Sequence, residues 1–230
     1  MKPLPLTIII PTYNEEDGIR NSIEQLLKLI EQEDGVEIIV SDASSDATLS
    51  IVQQLPVRWC QSQKGRAQQM NHAARLASGN ILYFLHADTL PPKGFIADIR
   101  QAVQDGKQAG CFQMRFDDEH PLMQFFGWCT RFPALICRGG DQSLFITREL
   151  FEKIGGFTET MELMEDYEII QRIEAYTSLH ILEKCVTTSA RKYHQNGILP
   201  LQYHFGMLHL MYASGVSQRD LVAYYHANIR

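Results

Sequence analysis

Leu6-Thr7-Ile8-Ile9-Ile10-Pro11-Thr12-Tyr13-Asn14-Glu15 is an apolar, β-branched run that stops at a proline and passes straight into polar residues. A run without in/out alternation predicts a strand buried on both faces in a parallel sheet. Beyond it, Ile19, Ile23, Leu26, Leu27 and Ile30 fall at offsets 0, 4, 7, 8 and 11, a stripe of helical period, with Asn14 as its expected cap and Gly35 as its stop. Residues 36–40 read as a second strand, 42–46 as a turn and 47–54 as a helix. A third strand (57–60), a third helix (65–77) and a fourth strand (81–85) follow, the last ending in His86-Ala87-Asp88. Strand alternating with helix predicts one α/β domain, Rossmann-like, with a mostly parallel central sheet and helices on both faces.

Past Pro91-Pro92 the pattern loosens. A helix is expected over 95–103, then a half-exposed strand over 110–116, where Phe112, Met114 and Phe116 alternate with polar or small residues. An irregular aromatic stretch covers 120–140. A strand over 142–147 and helices over 148–154 and 165–175 come next. Phe205, Leu208, Met211 and Tyr212 share a helical face, which predicts core packing; a dimer contact or a peripheral membrane face is the alternative, and no clustered Lys or Arg there favours anionic lipid. No repeat or linker divides the 230 residues, so they form one domain with a 1–90 half and a 91–230 half.

Lys and Arg number 21 against 27 Asp and Glu, a net charge of -6 with no basic run, which excludes a dedicated nucleic-acid binder. The five cysteines form no C-x2-C pair, so zinc-ribbon and thioredoxin readings fail and a reducing, cytoplasmic setting is expected. The opening apolar run is too short for a signal peptide. Residues 193–218 carry no Lys, Arg, Asp or Glu, but their amides, histidines and proline do not suit a span; contact with the inner membrane face stays open.

Ligands of open parallel sheets bind beyond the carboxyl ends of the strands, where helix N-termini gather. That edge carries Pro11 to Glu15, Asp42, Lys64-Gly65-Arg66 and His86-Ala87-Asp88. Neither G-x-G-x-x-G nor G-x4-G-K-[ST] is present, against a dinucleotide dehydrogenase or a P-loop enzyme. Carboxylates, an aromatic ring and a cationic pair instead suit a base, a ribose and a metal-bridged diphosphate.

Pro11-Thr12-Tyr13-Asn14-Glu15 resembles the P-x-Y-N-E opening of family 2 glycosyltransferases, which have the glycosyltransferase A-type fold. Asp42-Ala43-Ser44-Ser45-Asp46-Ala47-Thr48 is similar to that family's D-x-S-x-D-x-T turn, Gly65-Arg66-Ala67 with Asn71 to its G-R-x helix start, and Glu165-Asp166 to its E-D pair. Gly155-Gly156-Phe157 is similar to its G-G-F segment, and Gly139-Gly140-Asp141-Gln142 looks like its acceptor-side loop. Thr188-Ser189-Ala190-Arg191-Lys192 further resembles the compact bacterial radical-SAM/selenodomain-associated transferase 2 subgroup.

The resemblance implies an inverting, metal-dependent transferase that uses a nucleoside-diphosphate sugar, UDP favoured, and a hydroxyl acceptor on a glycan, lipid or small molecule. By it, Tyr13, Glu15 and Asp42 contact base and ribose, Arg66 the base or phosphates, Asp88 a Mn²⁺ or Mg²⁺ ion, and Asp166 acts as general base. Pro11, Gly65 and His86 join the donor side, and Gly140, Asp141 and Glu165 the acceptor side. Arg191 and Lys192, with Thr188 and His194, are candidates for a loop that closes over the diphosphate. The family's D-x-D is here His86-Ala87-Asp88, so an imidazole replaces the first carboxylate. The Q-x-x-R-W motif of processive synthases is absent, with Arg191-Lys192-Tyr193 in that late region, which implies single addition. Two rivals are a non-catalytic nucleotide-sugar module and a nucleotidyltransferase; the acidic Asn14-Glu15-Glu16-Asp17 speaks against the second.

Overall fold

A computed structural model describes residues 3–230. One eight-stranded sheet runs through both halves in the order β3-β2-β1-β4-β7-β6-β8-β5. Its first part is formed by β1 (Leu6–Thr12), β2 (Val36–Asp42), β3 (Arg58–Gln61) and β4 (Ile81–Phe84), all parallel. The connecting helices are α1 (Ile19–Ile30), α2 (Thr48–Val52) and α3 (Arg66–Leu76). Ile8 and Ile10 face the core shared with α1, while Ile9 faces the core shared with α3, so β1 is buried on both sides as its composition predicts.

Pro11 lies inside β1 and does not end it. The pairing of β1 with β4 stops at Ile9 and Phe84, and Leu85 N–H bonds the Ile9 carbonyl, so at Pro11 that side of the strand has no ladder left to break. Asn14 does not cap α1. It sits at φ 55° with its side chain turned to Ser45, and Gly18 precedes the helix without a side-chain cap. Nor does Gly35 stop that helix, which has already ended at Ile30; Gly35 turns the chain into β2.

The second half begins with the short β5 (Thr89–Leu90) and α4 (Phe95–Gln104). Next come β6 (Ala109–Phe116), α5 (Pro121–Cys129), β7 (Leu144–Thr147), α6 (Arg148–Lys153), α7 (Glu165–Glu174) and β8 (His180–Thr188). β7 runs antiparallel to β4 and β6, while β8 is parallel to β6 and antiparallel to β5, so the sheet is mixed here. β6 was expected to be half-exposed, yet its Ala109 to Phe112 are buried because β7 and β8 flank it. The helices α8 (Arg191–Asn196), α9 (Ile198–Ala213) and α10 (Gln218–Asn228) close the fold. They share a third core with α5, built around Phe116, Met123, Tyr193, Leu201, Leu208 and Leu221. Leu208 of the expected α9 face is buried, and Phe205, Met211 and Tyr212 pack against that core. No helix among the described residues is long and apolar enough to cross a membrane.

Candidate active site

The register Thr12–Asp42–Gln61 brings the carboxyl ends of β1, β2 and β3 level, and the loops beyond them are laced together. Asn14 N–H donates to Ser44 Oγ (2.9 Å) and Glu15 N–H to Thr48 Oγ1 (2.8 Å). In return Ser45 N–H donates to Asn14 Oδ1 and Ala47 N–H to Glu16 Oε2, both at 2.9 Å. These polar residues therefore build the floor of the crevice before any ligand arrives. Asp42 is part of that floor: it is buried and accepts from Thr12 Oγ1 (2.7 Å), Ser44 Oγ (2.6 Å) and Ser44 N–H (3.1 Å). Gln69, which sequence reasoning missed, is buried beneath, its amide donating to the carbonyls of Thr12 and Ser41. Its only sequence signal was a polar residue among the inward positions of α3.

Tyr13 stands out at the rim, with the Lys64 ammonium 4.0 Å from its ring centroid. Glu15 is met from across the crevice by Arg191, whose guanidinium reaches both carboxylate oxygens at 3.1–3.2 Å. Desolvation works against the Arg191 charge, but Glu15 first, then Asp88 and Asp17, push its pKa up, so these groups share one mouth. Ser189 N–H also binds the Asp88 carbonyl at 3.2 Å, tying the late segment to the loop between β4 and β5. Lys192 is turned toward Tyr225 (2.8 Å to its hydroxyl).

A second group of residues lines one cleft: Arg66, His86, Gly140, Glu165 and Asp166, with Met70, Phe84 and Phe157 as apolar wall. Gly65, at φ 139°, turns the chain into α3, so Arg66 is the first residue of that helix. Its guanidinium lies 3.0 Å from the buried Glu165 carboxylate. A cation at a helix N-terminus is unfavourable by dipole alone, and Glu165 supplies the compensation. Glu165 raises the Arg66 pKa against a smaller cost of desolvation, while burial pushes the Glu165 carboxyl up even though Arg66 pulls it down.

Asp166 accepts from its neighbour Tyr167 N–H (2.8 Å) and from Gly140 N–H, so it holds the 139–142 loop. His86 Nδ1 is 2.9 Å from Asp141 Oδ1. Local desolvation opposes ionisation of Asp141, but the His86 hydrogen bond and the charges of His86, Arg66 and Lys192 hold its carboxyl below the usual range. A Cβ at Gly140 would stand 2.7 Å from the His86 ring and 3.0 Å from Asp166 Oδ2, so only glycine fits between them. Glycine is equally required at 156, where φ is 68° and a Cβ would meet Asn71 Oδ1 at 2.7 Å. Asn71 grips the main chain of Phe157 with donor and acceptor alike (2.8 and 2.9 Å), anchoring the chain that leads to Glu165.

Of the residues singled out from sequence, Glu15, Asp88 and Arg191 meet at the mouth, Tyr13 stands beside Lys64 at the rim, and Arg66, His86, Gly140, Asp141, Glu165 and Asp166 gather at the cleft. Pro11 and Asp42 are buried beneath, and His194 pairs instead with Asp118 at 3.1 Å. Among the described residues no three or more His, Cys, Asp or Glu side chains cluster as a ready metal cage. The exposed Asp88 carboxylate, in the loop between β4 and β5, is an oxygen donor of the kind that would suit a hard cation.

Residues 7–158 match Glycosyl transferase family 2. The chain belongs to that family. It is 26% identical over 200 residues to the probable glycosyltransferase YdaM of Bacillus subtilis, covering 75% of this chain and 47% of YdaM. It is 35% identical over 134 residues to the uncharacterized glycosyltransferase YfnE of the same organism, covering 50% of this chain and 33% of YfnE. This family 2 chain thus spans between a third and a half of the length of these relatives. Among solved structures it resembles S. aureus TarS 1-349 in complex with UDP (TM-score 0.66, 20% identity, 81% of this chain and 60% of that one). It also resembles the mannosyltransferase PcManGT from Pyrobaculum calidifontis in complex with GDP-Man and Mn²⁺ (TM-score 0.63, 22% identity, 81% and 57%). At these identities the likeness supports the glycosyltransferase A-type fold.

Proposed function

We propose that this chain transfers one sugar from a nucleoside-diphosphate sugar, UDP-linked by preference, to a hydroxyl acceptor with inversion at the anomeric carbon. In this reading residues 1–90 hold the donor, with Tyr13 and Glu15 at base and ribose on the floor that Asp42 sets. Residues 91–230 supply the acceptor loop at Gly140 and Asp141, the base Asp166 and the closing residues Arg191 and Lys192. The acceptor oxygen attacks the anomeric carbon from the face opposite the diphosphate. Asp166 takes its proton as the new bond forms, and the carbon–oxygen bond to the diphosphate breaks. Asp88 is the residue that would hold a Mn²⁺ or Mg²⁺ ion, which would supply positive charge for the leaving diphosphate.

The observation that carries this reading is the loop contact between Gly140 and Asp166. It fixes a carboxylate beside a glycine backbone in the cleft that Arg66 and His86 enter from the donor side. The test is a thermal-shift panel of UDP, GDP, dTDP, CDP and ADP with and without Mn²⁺, then turnover of the matching sugar donors. Ligand at about a hundred times its dissociation constant adds about 2.7 kcal/mol, a melting shift of several degrees. A Mn²⁺-dependent shift lost in Asp88→Ala, with turnover lost and nucleotide binding kept in Asp166→Asn, is expected. Nucleotide binding without turnover of any donor would favour a non-catalytic module.

A further inference from the structure

We propose that Arg138, together with Gln142, is a positioning residue: a buried strut that sets where the turn carrying Gly140 and Asp141 stands over the proposed base, Asp166. The proposal rests on the sugar-transfer reading of the cleft. Residues Gly140–Gln142 form a single 3₁₀ turn, closed by Gln142 N–H to the Gly139 carbonyl (3.1 Å) and Ser143 N–H to the Gly140 carbonyl (2.9 Å). Its outward side meets the cleft, where Gly140 N–H donates to Asp166 and Asp141 pairs with His86. Bonds within so short a turn hold its shape but not its place. The flanking side chains do that: Arg138 and Gln142, one on each side, run inward and are only 5% and 2% exposed.

Arg138 donates to the carbonyls of Thr130 (2.6 Å) and Phe132, and its guanidinium lies 3.4 Å from Cys111 Sγ. Both carbonyls belong to the end of α5, since Thr130 directly follows its last residue, Cys129. Carbonyls at a helix C-terminus lack partners inside the helix and carry its partial negative charge, so a cation meets them favourably. No ion pair of the described residues includes Arg138. Burial pushes the Cys111 thiol up even though Arg138 pulls it down, so the sulfur supplies no countercharge. A buried cation answered by main-chain oxygens alone is unfavourable by desolvation, and an apolar side chain would fill the same space without that cost. What the planar guanidinium adds is direction. Its N–H groups stand in a fixed fork, so engaging two carbonyls two residues apart fixes the residue that begins the turn.

Gln142 works from the far end of the turn. Its amide donates to the Phe112 carbonyl on β6 (3.1 Å) and reaches the same Thr130 carbonyl (3.4 Å), while its Oε1 is buried with no partner. The side chain is therefore placed for what it donates. Both struts stand on Thr130, which is itself fixed: its hydroxyl donates to the Gly127 carbonyl (2.6 Å) and accepts from Met114 N–H (2.9 Å), locking the end of α5 to β6. Position thus passes from β6 and α5 through Thr130 to Arg138 and Gln142, and from the turn through Gly140 N–H to Asp166. The floor at Asn14, Glu15 and Asp42 is held by other bonds, within and between its own two loops. Loosening the struts should disturb the chemical step and leave the hold on the nucleotide intact.

The test uses the full chain with Arg138→Met, Arg138→Lys and Gln142→Met. Glycine-selective nitrogen-15 labelling, with Gly140→Ala to assign the signal, follows the Gly140 N–H directly. Its exchange with solvent is expected to quicken about tenfold or more in Arg138→Met and Gln142→Met, and less in Arg138→Lys, whose ammonium can keep one carbonyl. Turnover is read as UDP release from UDP-glucose and UDP-N-acetylglucosamine with Mn²⁺ and water as acceptor, per mole of folded protein. In Arg138→Met, kcat is expected to fall about 10–100-fold while the donor KM stays within about twofold, with Arg138→Lys between it and the parent. A role confined to stability would lower the urea midpoint and leave kcat per folded molecule and the Gly140 amide unmoved, which would overturn the proposal. So would a fall in kcat matched by an equal weakening of the donor KM. If even the parent releases no UDP, sugar transfer from these donors fails, and Gly140 exchange alone decides: quicker exchange upholds the strut, and an unmoved amide overturns it. Gln142→Met removes only the donating end of a side chain whose oxygen has no partner, so it carries the test should Arg138→Met not fold.

Discussion

A methyl group at residue 140 has nowhere to go. It would press on the His86 ring at 2.7 Å and on Asp166 Oδ2 at 3.0 Å, moving the proposed base and the donor-side imidazole apart. Displacements of about 1 Å at a reacting centre cost on the order of 100-fold. Gly140→Ala is therefore expected to lower turnover about 100-fold, measured as diphosphate release, and to lower the melting temperature as well, because Arg138 and Gln142 on either side of the glycine are buried and leave the methyl no room. Arg66 offers a different kind of test. Removing it leaves the buried Glu165 carboxylate without its countercharge, and breaking such a pair is costly even though Arg66 itself is half-exposed. Arg66→Ala is expected to lose about 2–3 kcal/mol in urea unfolding. Adding Glu165→Gln should recover part of that loss, because the stranded charge is then gone.

At the level of elements, one carboxylate on β2 fastens three pieces of the donor half. Glu37 accepts from Thr7 on β1 (2.6 Å), Arg58 on β3 (2.6 Å) and Ser78 Oγ (2.7 Å) before β4. Burial works to raise its pKa, but those hydrogen bonds together with Ser78 N–H bring it from an ordinary 4.5 down to about 2. A depressed carboxyl adds stability that is fully present above pH 4.5 and is lost as pH falls through about 2. Solvent screening of a partly exposed group trims its contribution to about 1–2 kcal/mol. Glu37→Gln should thus melt below the parent near neutral pH, and the two should converge as pH approaches about 2; a constant gap across a pH series of melts would contradict the linkage. The elements legible in sequence were those whose burial follows one rule: β1 from its continuous apolar run and α1 from its stripe. β8 and α5 were not. β8 mixes exposed Glu183 and Lys184 with buried Val186 and Thr188 and bulges against β6, so neither an apolar run nor clean alternation marks it. α5 has apolar residues on both its inner and outer sides, which hides the helical period. The candidate site was readable as residue types at strand ends, but not its internal pairings. That Asn14 and Asp42 are spent inside the floor depends on two loops 30 residues apart lying side by side.

For the molecule as a whole, the two halves share a sheet and are also joined across the crevice by contacts far apart in sequence. Arg66 meets Glu165 and Arg191 meets Glu15, the latter pair 176 residues apart. They differ in environment: Glu165 is buried, whereas Arg191 is exposed and its pairing with Glu15 is open to water. An exposed ion pair contributes about 0–1 kcal/mol, so the Arg191 contact is weak enough for a more highly charged ligand to displace. A diphosphate is such a ligand, and the Arg191 guanidinium can carry two hydrogen bonds to it as it does to Glu15. Arg191→Ala should consequently leave the melting temperature of the free protein within about 2 °C. It should weaken Mn²⁺-UDP binding about tenfold, the effect of losing roughly 1.4 kcal/mol, while uridine, which lacks the diphosphate, binds both proteins alike. Calorimetric titration of the two ligands separates the cases. Equal weakening of UDP and uridine would mean that Arg191 acts through Glu15 and the nucleoside side of the crevice, and that the late segment does not close on the diphosphate.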